Sequence, residues 1–466
     1  AYDAFSQVLK IAPDHVLARN NLALVLEHEE RLDEACEELK KVVQSAPDYG
    51  EAWLNLCKIA EAAGQYELSL MAGRKLVSLM PGEPKAWLGF GVALNRAGRD
   101  EEALLAYQNG LKLKSDWPEV WDNLGQTYQA LGRLDEAQRA YRAAIEADGQ
   151  VIEGDGQRRI DEKEYGGRHW HLALLELLKG DLINGFSRYR ARFEDVGGLE
   201  RPHFPVPVWQ GEDLENKTLL VMDEQGMGDC LMMLRYLPLM KARGARIKLL
   251  IQKPLIPLLQ GWNGADELIQ RGQLVRGFGM YASIFDLPYA FSTTLETIPT
   301  KPYLPVPPVC DECRLDLAPG KKHIAVVWGG APKHKQDAKR SLPLSVFSEL
   351  FQIPDTQFFS LNRDKREGDD VLLASLPIVD LAPTLQDFGQ VAQYMAQMDL
   401  IISCDTATAH LAGAMGLPVW TLLPFAPDWR WLTEREDSPW YPSMRLFRQK
   451  TAGDWAEVIE RVEAAL

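Results

Sequence analysis

The chain has 466 residues, and its 46% hydrophobic and 25% charged content is ordinary for a globular protein with room for two to four domains. The formal net charge of −15 argues against a nucleic acid or an anionic membrane as the main partner, because both require a basic surface. No apolar run approaches the roughly 18 residues of a membrane span, and no signal peptide opens the sequence. We therefore expect a cytoplasmic protein without a membrane span.

The cysteines are too few and too scattered to form a disulfide framework in a chain of this length. Cys310 and Cys313 form a single CxxC motif without a partner pair, which favours a reduced loop over a zinc site. The cysteine pattern therefore predicts neither disulfides nor a structural metal.

The N-terminal third is built from a sequence repeat. Trp53, Trp87 and Trp121 recur every 34 residues, which is the period of the tetratricopeptide repeat, and the marker positions of the second helix follow in register. We predict a tetratricopeptide array over residues 1–148. Ala1 falls in the second helix of a unit, so we expect the natural chain to be longer.

Stacked helix pairs of this type form a superhelix with an extended concave face, which commonly binds a peptide or a disordered segment. Amide side chains on such a face can bind a peptide backbone, because they both donate and accept hydrogen bonds. The candidates in this chain are Asn21, Asn55 and Asn123. Solvation of exposed side chains explains these asparagines equally well.

Residues 149–210 interrupt the repeat pattern. A stretch rich in glycine and charge follows the array, and helical periodicity then resumes around a Gly-Asp break at residues 180–181. We interpret this segment as a linker with one divergent, repeat-like helix pair that couples the array to the rest of the chain.

From Lys217 onward, strands alternate with helices, a pattern typical of parallel sheets covered on both faces. A helix is predicted at residues 229–241. A proline-rich segment separates two similar halves, over 211–308 and 309–466, and two such halves imply a cleft between them. Apolar runs predict strands at residues 218–222, 247–251, 283–287, 356–361, 400–403 and 418–423, and from residue 323 onward.

The sequence after the strand at 400–403 carries polar groups into the start of a helix. Ligands bind outside the carboxyl ends of parallel strands, where the helix dipole and free backbone N–H groups attract phosphate. We therefore predict a nucleotide or phosphate site at Asp405, Thr406, Ala407 and His410. The alternatives are that Asp405 or Thr406 only caps the helix and that His410 is a packing residue.

The first half has its own strand-to-helix turn, in which Glu224 and Gln225 precede Gly226, Gly228 and Asp229. The two glycines allow close backbone approach. Asp229 lies at the helix start, where a carboxylate can act as a general base on an attacking hydroxyl. The alternative role for this side chain is that of a first-turn acid, which complements the helix dipole.

A basic loop follows the first strand of the second half. It concentrates cationic side chains in an otherwise acidic protein, at Lys333, Lys335, Lys339 and Arg340. Cationic groups at a strand end suit a diphosphate whose negative charge grows as it departs. Solvated loop charges are the alternative.

These motifs together resemble glycosyltransferase family nine, the heptosyltransferase-like enzymes with a two-lobed GT-B fold. The matching segments are the turn at 226–229, the basic loop and residues 405–416. The whole chain is similar to bacterial fusions of tetratricopeptide repeats with a glycosyltransferase, including flagellin-modifying enzymes. That similarity lies in residues 224–229, 340–344, 423–431, 437–442 and 445–449.

The resemblance implies an α + α/β fold class. An N-terminal tetratricopeptide α-solenoid would be followed by a GT-B domain of two Rossmann-like parallel sheets. Residues 211–308 would form the acceptor lobe, and residues 309–466 the lobe that binds the nucleotide-sugar donor. By position, Asp229 corresponds to the catalytic base, the basic loop to the pyrophosphate clamp, and residues 405–410 to the donor-binding turn.

For function, the resemblance implies a hexosyl- or heptosyl-type transferase (EC 2.4) that moves a sugar from a nucleotide-sugar donor to an acceptor hydroxyl with inversion. The family is generally metal-independent, so we expect neither a metal ion nor another cofactor. We expect the acceptor to be a Ser or Thr of a protein or peptide held on the concave face of the array. The alternative is a peptide-binding scaffold whose GT-B-like domain binds a nucleotide without catalysis.

Overall fold

The computed structural model describes residues 1–149, 162–193, 201–332 and 337–466, and the side chains of residues 162–165 also lie outside the description. The chain forms two compact units, which are Ala1–Leu175 with Ala191–Leu199 and Glu176–Arg190 with Glu200–Leu466. Among the helices in the described ranges, none is long and apolar enough to cross a membrane.

The first unit consists of consecutive helix pairs, and from residue 2 to residue 148 each helix packs against its neighbour along the chain. Its helices are α1 (Tyr2–Ile11), α2 (Val16–His28), α3 (Leu32–Ser45), α4 (Gly50–Ala62), α5 (Tyr66–Leu79), α6 (Pro84–Arg96), α7 (Asp100–Leu113), α8 (Pro118–Ala130) and α9 (Leu134–Asp148), followed by α10 (Glu162–Leu178). The predicted α-solenoid is confirmed.

Each repeat turns between its two helices at a residue with a left-handed backbone. Gly64, Gly98 and Gly132 have φ values of 71°, 71° and 73°, and Glu30 takes the equivalent place in the earlier unit with a φ of 58°. Glycine reaches this conformation without a clash of Cβ, which explains why the repeat places it between the two helices.

The repeated tryptophans hold the turn that precedes each helix pair. Trp53, Trp87 and Trp121 each donate the indole N–H to the carbonyl oxygen six residues earlier, at 2.8 Å in every case. These carbonyl groups lie in the turn before the helix that carries the tryptophan. The 34-residue spacing in the sequence therefore corresponds to the same hydrogen bond in three successive repeats.

The second unit contains two parallel sheets, one in each lobe. The sheet of the first lobe has the order β3-β2-β1-β4, and every neighbouring pair in it is parallel. Its strands are β1 (Thr218–Met222), β2 (Arg246–Ile251), β3 (Glu267–Gln270) and β4 (Met280–Ser283). The helices before and within this lobe are α11 (Leu182–Tyr189), α12 (Met227–Met233), α13 (Leu237–Ala242), α14 (Ile256–Leu259) and α15 (Leu287–Ala290).

The sheet of the second lobe has the order β10-β9-β8-β5-β6-β7 and is also parallel throughout. Its strands are β5 (Lys322–Val327), β6 (Thr356–Ser360), β7 (Ile378–Asp380), β8 (Leu400–Cys404), β9 (Val419–Leu423) and β10 (Met444–Arg448). The helices are α16 (Asp337–Arg340), α17 (Leu344–Phe347), α18 (Asp369–Leu373), α19 (Phe388–Met395), α20 (Ala407–Met415) and α21 (Trp455–Glu463). This is the strand order of a doubly wound nucleotide-binding sheet, and the predicted pair of Rossmann-like sheets is confirmed.

Strands β3, β7 and β10 have no counterpart among the predicted elements. All three are sheet edges, where a strand is covered less completely, so polar residues interrupt their apolar pattern. The strand predicted at 283–287 is wrong, because β4 ends at Ser283, residues Ile284–Asp286 form a short 3₁₀ helix, and α15 begins at Leu287. The helix predicted at 229–241 is divided into α12 and α13, with Pro238 at the start of the second part.

The segment predicted as a linker with a repeat-like pair divides between the two units. Residues 150–161 and 194–200 lie outside the described residues. Residues Glu176–Arg190, which include α11, belong to the second unit. The predicted boundaries at 149 and 210 stay predictions.

Aromatic contacts explain why α11 joins the second unit. Phe186 and Tyr189 of α11 lie with their ring centroids 5.6 and 6.3 Å from Trp429, which follows β9. Tyr189 also stacks on Phe285 of the first lobe at 5.3 Å. Helix α11 thus contacts both lobes through its buried face.

The two lobes meet where α12 packs on α20. A Cβ atom at Gly228 would come within 2.9 Å of His410 Cδ2 and 3.2 Å of the Ala407 Cα atom, which only glycine avoids. Since β1 and β8 run into these two helices, the carboxyl ends of both strands lie beside the same contact.

A buried arginine fixes the same junction from within. Arg235 is 2% exposed, and it donates to the carbonyl oxygens of Met232 and Trp440 at 2.7 Å and of Pro299 at 3.1 Å. Its guanidinium also lies over the Tyr441 ring, 4.7 Å from the centroid. A buried cation is tolerated only with such partners, so Arg235 joins the first lobe to the C-terminal segment.

Replacement of Gly228 by alanine should lower the free energy of unfolding by about 1–3 kcal/mol, because the added methyl group must displace the His410 ring or the α20 backbone. Urea unfolding followed by tryptophan fluorescence measures this change. Gly279→Ala is the control, since a Cβ atom there meets nothing within 4 Å. Equal stability of the two variants would contradict the close contact between the lobes.

Candidate active site

The second sheet reverses its strand order between β5 and β8, which are neighbours. In doubly wound sheets, ligands bind outside the carboxyl ends of the strands at this position. Strand β5 leads into Gly329 and Gly330, and β8 leads into Asp405 and Thr406. The predicted donor turn therefore lies where the topology favours a nucleotide.

Thr406 is the N-cap residue of α20, but among the described residues it makes no capping hydrogen bond through its side chain. Its hydroxyl lies 3.0 Å from the Ser403 hydroxyl instead. The first backbone N–H groups of α20, beginning with that of Ala407, therefore face the turn without a side-chain cap. Such groups, together with the helix dipole, attract an anion.

His410 is a packed and uncharged ring beside this turn. Its Nδ1 lies 3.0 Å from the Tyr441 hydroxyl, and its ring stacks on Trp431 with the centroids 5.2 Å apart. Burial, and next the charge of Arg430, hold the pKa of His410 well below its usual value. Its Nε2 is 3.8 Å from Asp405 Oδ1, which is too long for a hydrogen bond.

Asp405 has an environment that disfavours its charged form. Burial, and next the negative charge of Asp428, raise the pKa of Asp405 to about 6, while Trp431 and nearby arginines oppose this change. The carboxyl group therefore loses its charge in mildly acidic solution. An uncharged Asp405 is more compatible with a bound anion than a carboxylate is.

Two arginines share one carboxylate next to the end of β5. Arg366 forms an ion pair with Asp337, and Arg340 Nε lies 3.8 Å from the other oxygen of the same group. The Ser341 hydroxyl donates to that oxygen at 2.8 Å. Within the described residues, Arg340 Nε and Arg366 Nη1 are buried without a hydrogen-bond partner. Two guanidinium groups thus share the carboxylate of Asp337.

The glycines after β5 make room for these two arginines. A Cβ atom at Gly329 would collide with the Arg366 guanidinium, and one at Gly330 would lie 2.6 Å from Arg340 Nη2. Asn362 Oδ1 accepts from the Gly329 N–H at 2.8 Å and so holds the glycine backbone in place. The backbone and the cationic groups therefore form one surface.

The structure describes only some residues of the predicted basic loop. Arg340 belongs to the arginine pair, Lys339 is exposed, and Lys333 and Lys335 lie outside the described residues. Arg366 was not predicted. It follows β6, which neighbours β5, so the rule that groups the carboxyl ends of adjacent strands could have found it.

Asp229 lies in the first turn of α12, and its two oxygens have different partners. Oδ2 accepts from the Gly226 N–H at 2.8 Å, which is the first-turn role considered above. Oδ1 is paired with Arg430, which follows β9 in the second lobe. The predicted base is thus in contact with a cation of the donor lobe. Arg430 was not singled out, although it lies in the C-terminal motif.

The residues before Gly226 hold the backbone of this turn. Glu224 is buried, and Ser283 at the end of β4 donates to its carboxylate. Gln225 has a left-handed φ of 59°, and its amide donates to the Tyr189 hydroxyl at 2.7 Å. A residue other than glycine rarely adopts this conformation, so the turn is held by its surroundings.

The asparagines predicted to bind a peptide lie in the first unit. Asn21 is exposed, and Asn55 and Asn123 are half-buried. Asn55 donates to Asn20 Oδ1 of the preceding pair at 3.1 Å. Their contact with a peptide stays a prediction.

Comparison with known proteins gives family matches in both the N-terminal and the C-terminal parts of the chain. Residues 279–449 match glycosyltransferase family 9 (heptosyltransferase). Residues 1–50, 91–132 and 118–150 match tetratricopeptide repeat families. The chain therefore combines tetratricopeptide repeats with a glycosyltransferase family 9 domain, as the sequence motifs predict.

Protein FlbA of Caulobacter vibrioides is 28% identical over 331 residues, which are 63% of this chain and 54% of FlbA. The chain thus spans about half the length of the curated relative that it matches. Among solved structures, MamA is 22% identical over 32% of this chain and 87% of its own, with a TM-score of 0.31. YrrB, a TPR protein with an unusual peptide-binding site, is 15% identical over 41% of this chain and 92% of its own, with a TM-score of 0.33.

The raised pKa of Asp405 gives a prediction for stability. A carboxyl group whose pKa is higher in the folded protein contributes stability below its ordinary pKa and loses that contribution as the pH rises through the folded value, here about 6. Asp405→Asn should therefore gain stability relative to wild type as the pH rises from about 4 to about 7, by about 1–3 kcal/mol. Urea unfolding at a series of pH values measures the difference.

Asp437→Asn is the matched control with the opposite sign. Arg435 beside it lowers the pKa of Asp437, so that carboxylate stabilises the fold above its ordinary pKa and loses this effect as the pH falls. A difference between Asp405→Asn and wild type that does not change with pH would contradict the environment assigned to Asp405.

Proposed function

We propose that the chain is a glycosyltransferase that moves a sugar from a nucleotide-sugar donor to an acceptor hydroxyl. The observation that carries this proposal is the meeting of Asp229 with the cationic side of a lobe that matches glycosyltransferase family 9. Since a fold does not imply a function, the proposal depends on this arrangement of groups.

The donor diphosphate would lie between the start of α20 and the arginine pair Arg340 and Arg366. The N–H groups at the start of α20 and the two guanidinium groups all favour negative charge at this point. Their effect increases when the sugar leaves, because the diphosphate then gains charge. The proposed reaction needs no metal ion, since these groups stabilise the leaving group.

On the acceptor side, Asp229 would take the proton of the acceptor hydroxyl. The oxygen then attacks the anomeric carbon of the sugar from the face opposite the diphosphate, and the electron pair of the broken C–O bond leaves with the diphosphate. A single displacement of this kind inverts the anomeric centre. Asp229 suits this task because its position is fixed by Gly226 and it reaches the donor lobe.

We further propose that the acceptor is a Ser or Thr of a protein bound by the repeat array. The support is the solenoid itself, because the concave face of such arrays commonly binds a peptide or an extended segment. The transferred group would be a hexose or heptose, as the family match suggests.

A scaffold without catalysis is the rival function, and nucleotide binding distinguishes the two. Calorimetry of the full chain against UDP, GDP, ADP, CDP and dTDP should find at least one that binds. The uncapped start of α20 and the arginine pair favour this result. Binding to none of the five would favour the scaffold.

Asp229→Asn should lower the turnover number for sugar transfer by about 10²–10⁴, because a general base contributes a factor of this size. The variant keeps the shape of the side chain and should still bind the nucleoside diphosphate. Transfer of radiolabelled sugar to the acceptor measures the change. Asp437→Asn is the control, as its carboxylate is exposed and pairs only with Arg435 among the described residues. Unchanged turnover of the Asp229 variant would exclude Asp229 as the general base.

Arg366→Ala should weaken the binding of the nucleoside diphosphate about ten- to a hundredfold, since a charge-assisted hydrogen bond contributes about 1.5–3 kcal/mol. Calorimetry with the best ligand of the five measures the loss. Arg363→Ala is the matched control, because Arg363 is exposed on the same loop. An equal affinity of the two variants would remove Arg366 from the donor site.

A further inference from the structure

Arg430 connects the two sides of the site. Its side chain is 8% exposed, and it pairs at one Nη with Asp229 of the first lobe and at the other with Asp428 of its own loop. The guanidinium lies over the Trp429 ring, 4.5 Å from the centroid. One cation of the donor lobe is thus paired with the base candidate.

The same arginine is close to the donor turn. Trp431, the next residue in the chain, stacks on the His410 ring of α20 with the centroids 5.2 Å apart, and the charge of Arg430 contributes to the pKa shifts of Asp405 and His410. In the described part of the chain, Arg430 Nε is buried without a hydrogen-bond partner. A buried N–H group in this condition gains stability from a further acceptor. A phosphate oxygen is an acceptor of suitable charge and geometry for a guanidinium.

The contact between Arg430 and Asp229 has a chemical consequence for transfer. A carboxylate that accepts from a guanidinium and from a backbone N–H has fewer lone pairs to offer an incoming hydroxyl. The same guanidinium is most useful to the reaction when it faces the departing diphosphate.

We propose that Arg430 is a positioning residue for which Asp229 and the donor diphosphate compete. This inference rests on the proposed function. Binding of the diphosphate draws Arg430 toward the phosphate oxygens and releases Asp229 Oδ1. The acceptor O–H then gives its proton to Asp229, its oxygen forms the new bond to the anomeric carbon, and the bond to the diphosphate breaks with its electron pair. Arg430 thus allows the base to act only when the leaving group is present.

Competition of this kind is measurable by binding alone. The full chain is compared with Asp229→Asn, Arg430→Gln and the double variant, and calorimetry gives the affinity of each for the nucleoside diphosphate that binds best. Asp229→Asn should bind about tenfold more tightly than wild type, because Arg430 no longer has its carboxylate partner. Arg430→Gln should bind about tenfold more weakly. In the Arg430→Gln background, Asp229→Asn should change the affinity less than about twofold.

The double variant separates partner exchange from a general effect of charge. Removal of a carboxylate near any anion site favours the anion, but that gain would persist without Arg430. A gain of the same size in both backgrounds would therefore overturn the inference, as would an unchanged affinity in Asp229→Asn. Arg430→Met takes the place of Arg430→Gln if the glutamine variant does not fold, since methionine fills a similar volume without donors.

Asp437→Asn and Arg435→Gln serve as controls from the same C-terminal segment, because their ion pair is exposed. Both should bind the nucleoside diphosphate like wild type, and a gain from Asp437→Asn equal to that from Asp229→Asn would overturn the inference. If wild type and every variant fail to bind, the proposed function falls as well. If they bind with equal affinity, the donor site stands and only the role of Arg430 is wrong.

Discussion

The close contact between α12 and α20 at Gly228 is the constraint on which the rest of the second unit depends. Two parallel sheets that fold separately would otherwise present their carboxyl ends to solvent at some distance from each other. Because Gly228 has no side chain, the first turn of one helix lies against the first turn of the other. Residues that each sheet places after its strands then face one another, and the candidate site depends on the close approach that Gly228 allows.

Charge is concentrated at this contact in a protein that is acidic overall. Arg340, Arg366 and Arg430 are partly or fully covered, and each lies against a carboxylate from the same neighbourhood. Burial makes such pairs sensitive to the loss of one partner, since an unpaired buried charge is costly. It also makes them responsive to a new anion, which can take over a guanidinium from the carboxylate that holds it. The arrangement therefore suits a site that changes its internal pairs as an anionic ligand enters and a charged group departs.

The sequence predicted the elements that repeat or alternate and missed those that depend on distant neighbours. The 34-residue spacing of Trp53, Trp87 and Trp121 predicted the solenoid, because each repeat uses its tryptophan in the same hydrogen bond. The turn at Asp405 was predictable from strand and helix order alone. Arg366 and Arg430 were not, because their roles arise only when separate strand ends and lobes meet. The edge strand β10 was missed for a related reason, since half-covered strands do not need a continuous apolar run.

We propose that the turns after β1 and β8 form one site for a nucleotide-sugar. Hydrogen–deuterium exchange of the full chain, with and without the nucleoside diphosphate that binds best, tests this claim directly. We expect slower exchange on ligand addition at the amides of both residues 226–229 and 406–410, because the ligand orders the contact between them. Slower exchange at only one turn, or only at sites away from both, would contradict it.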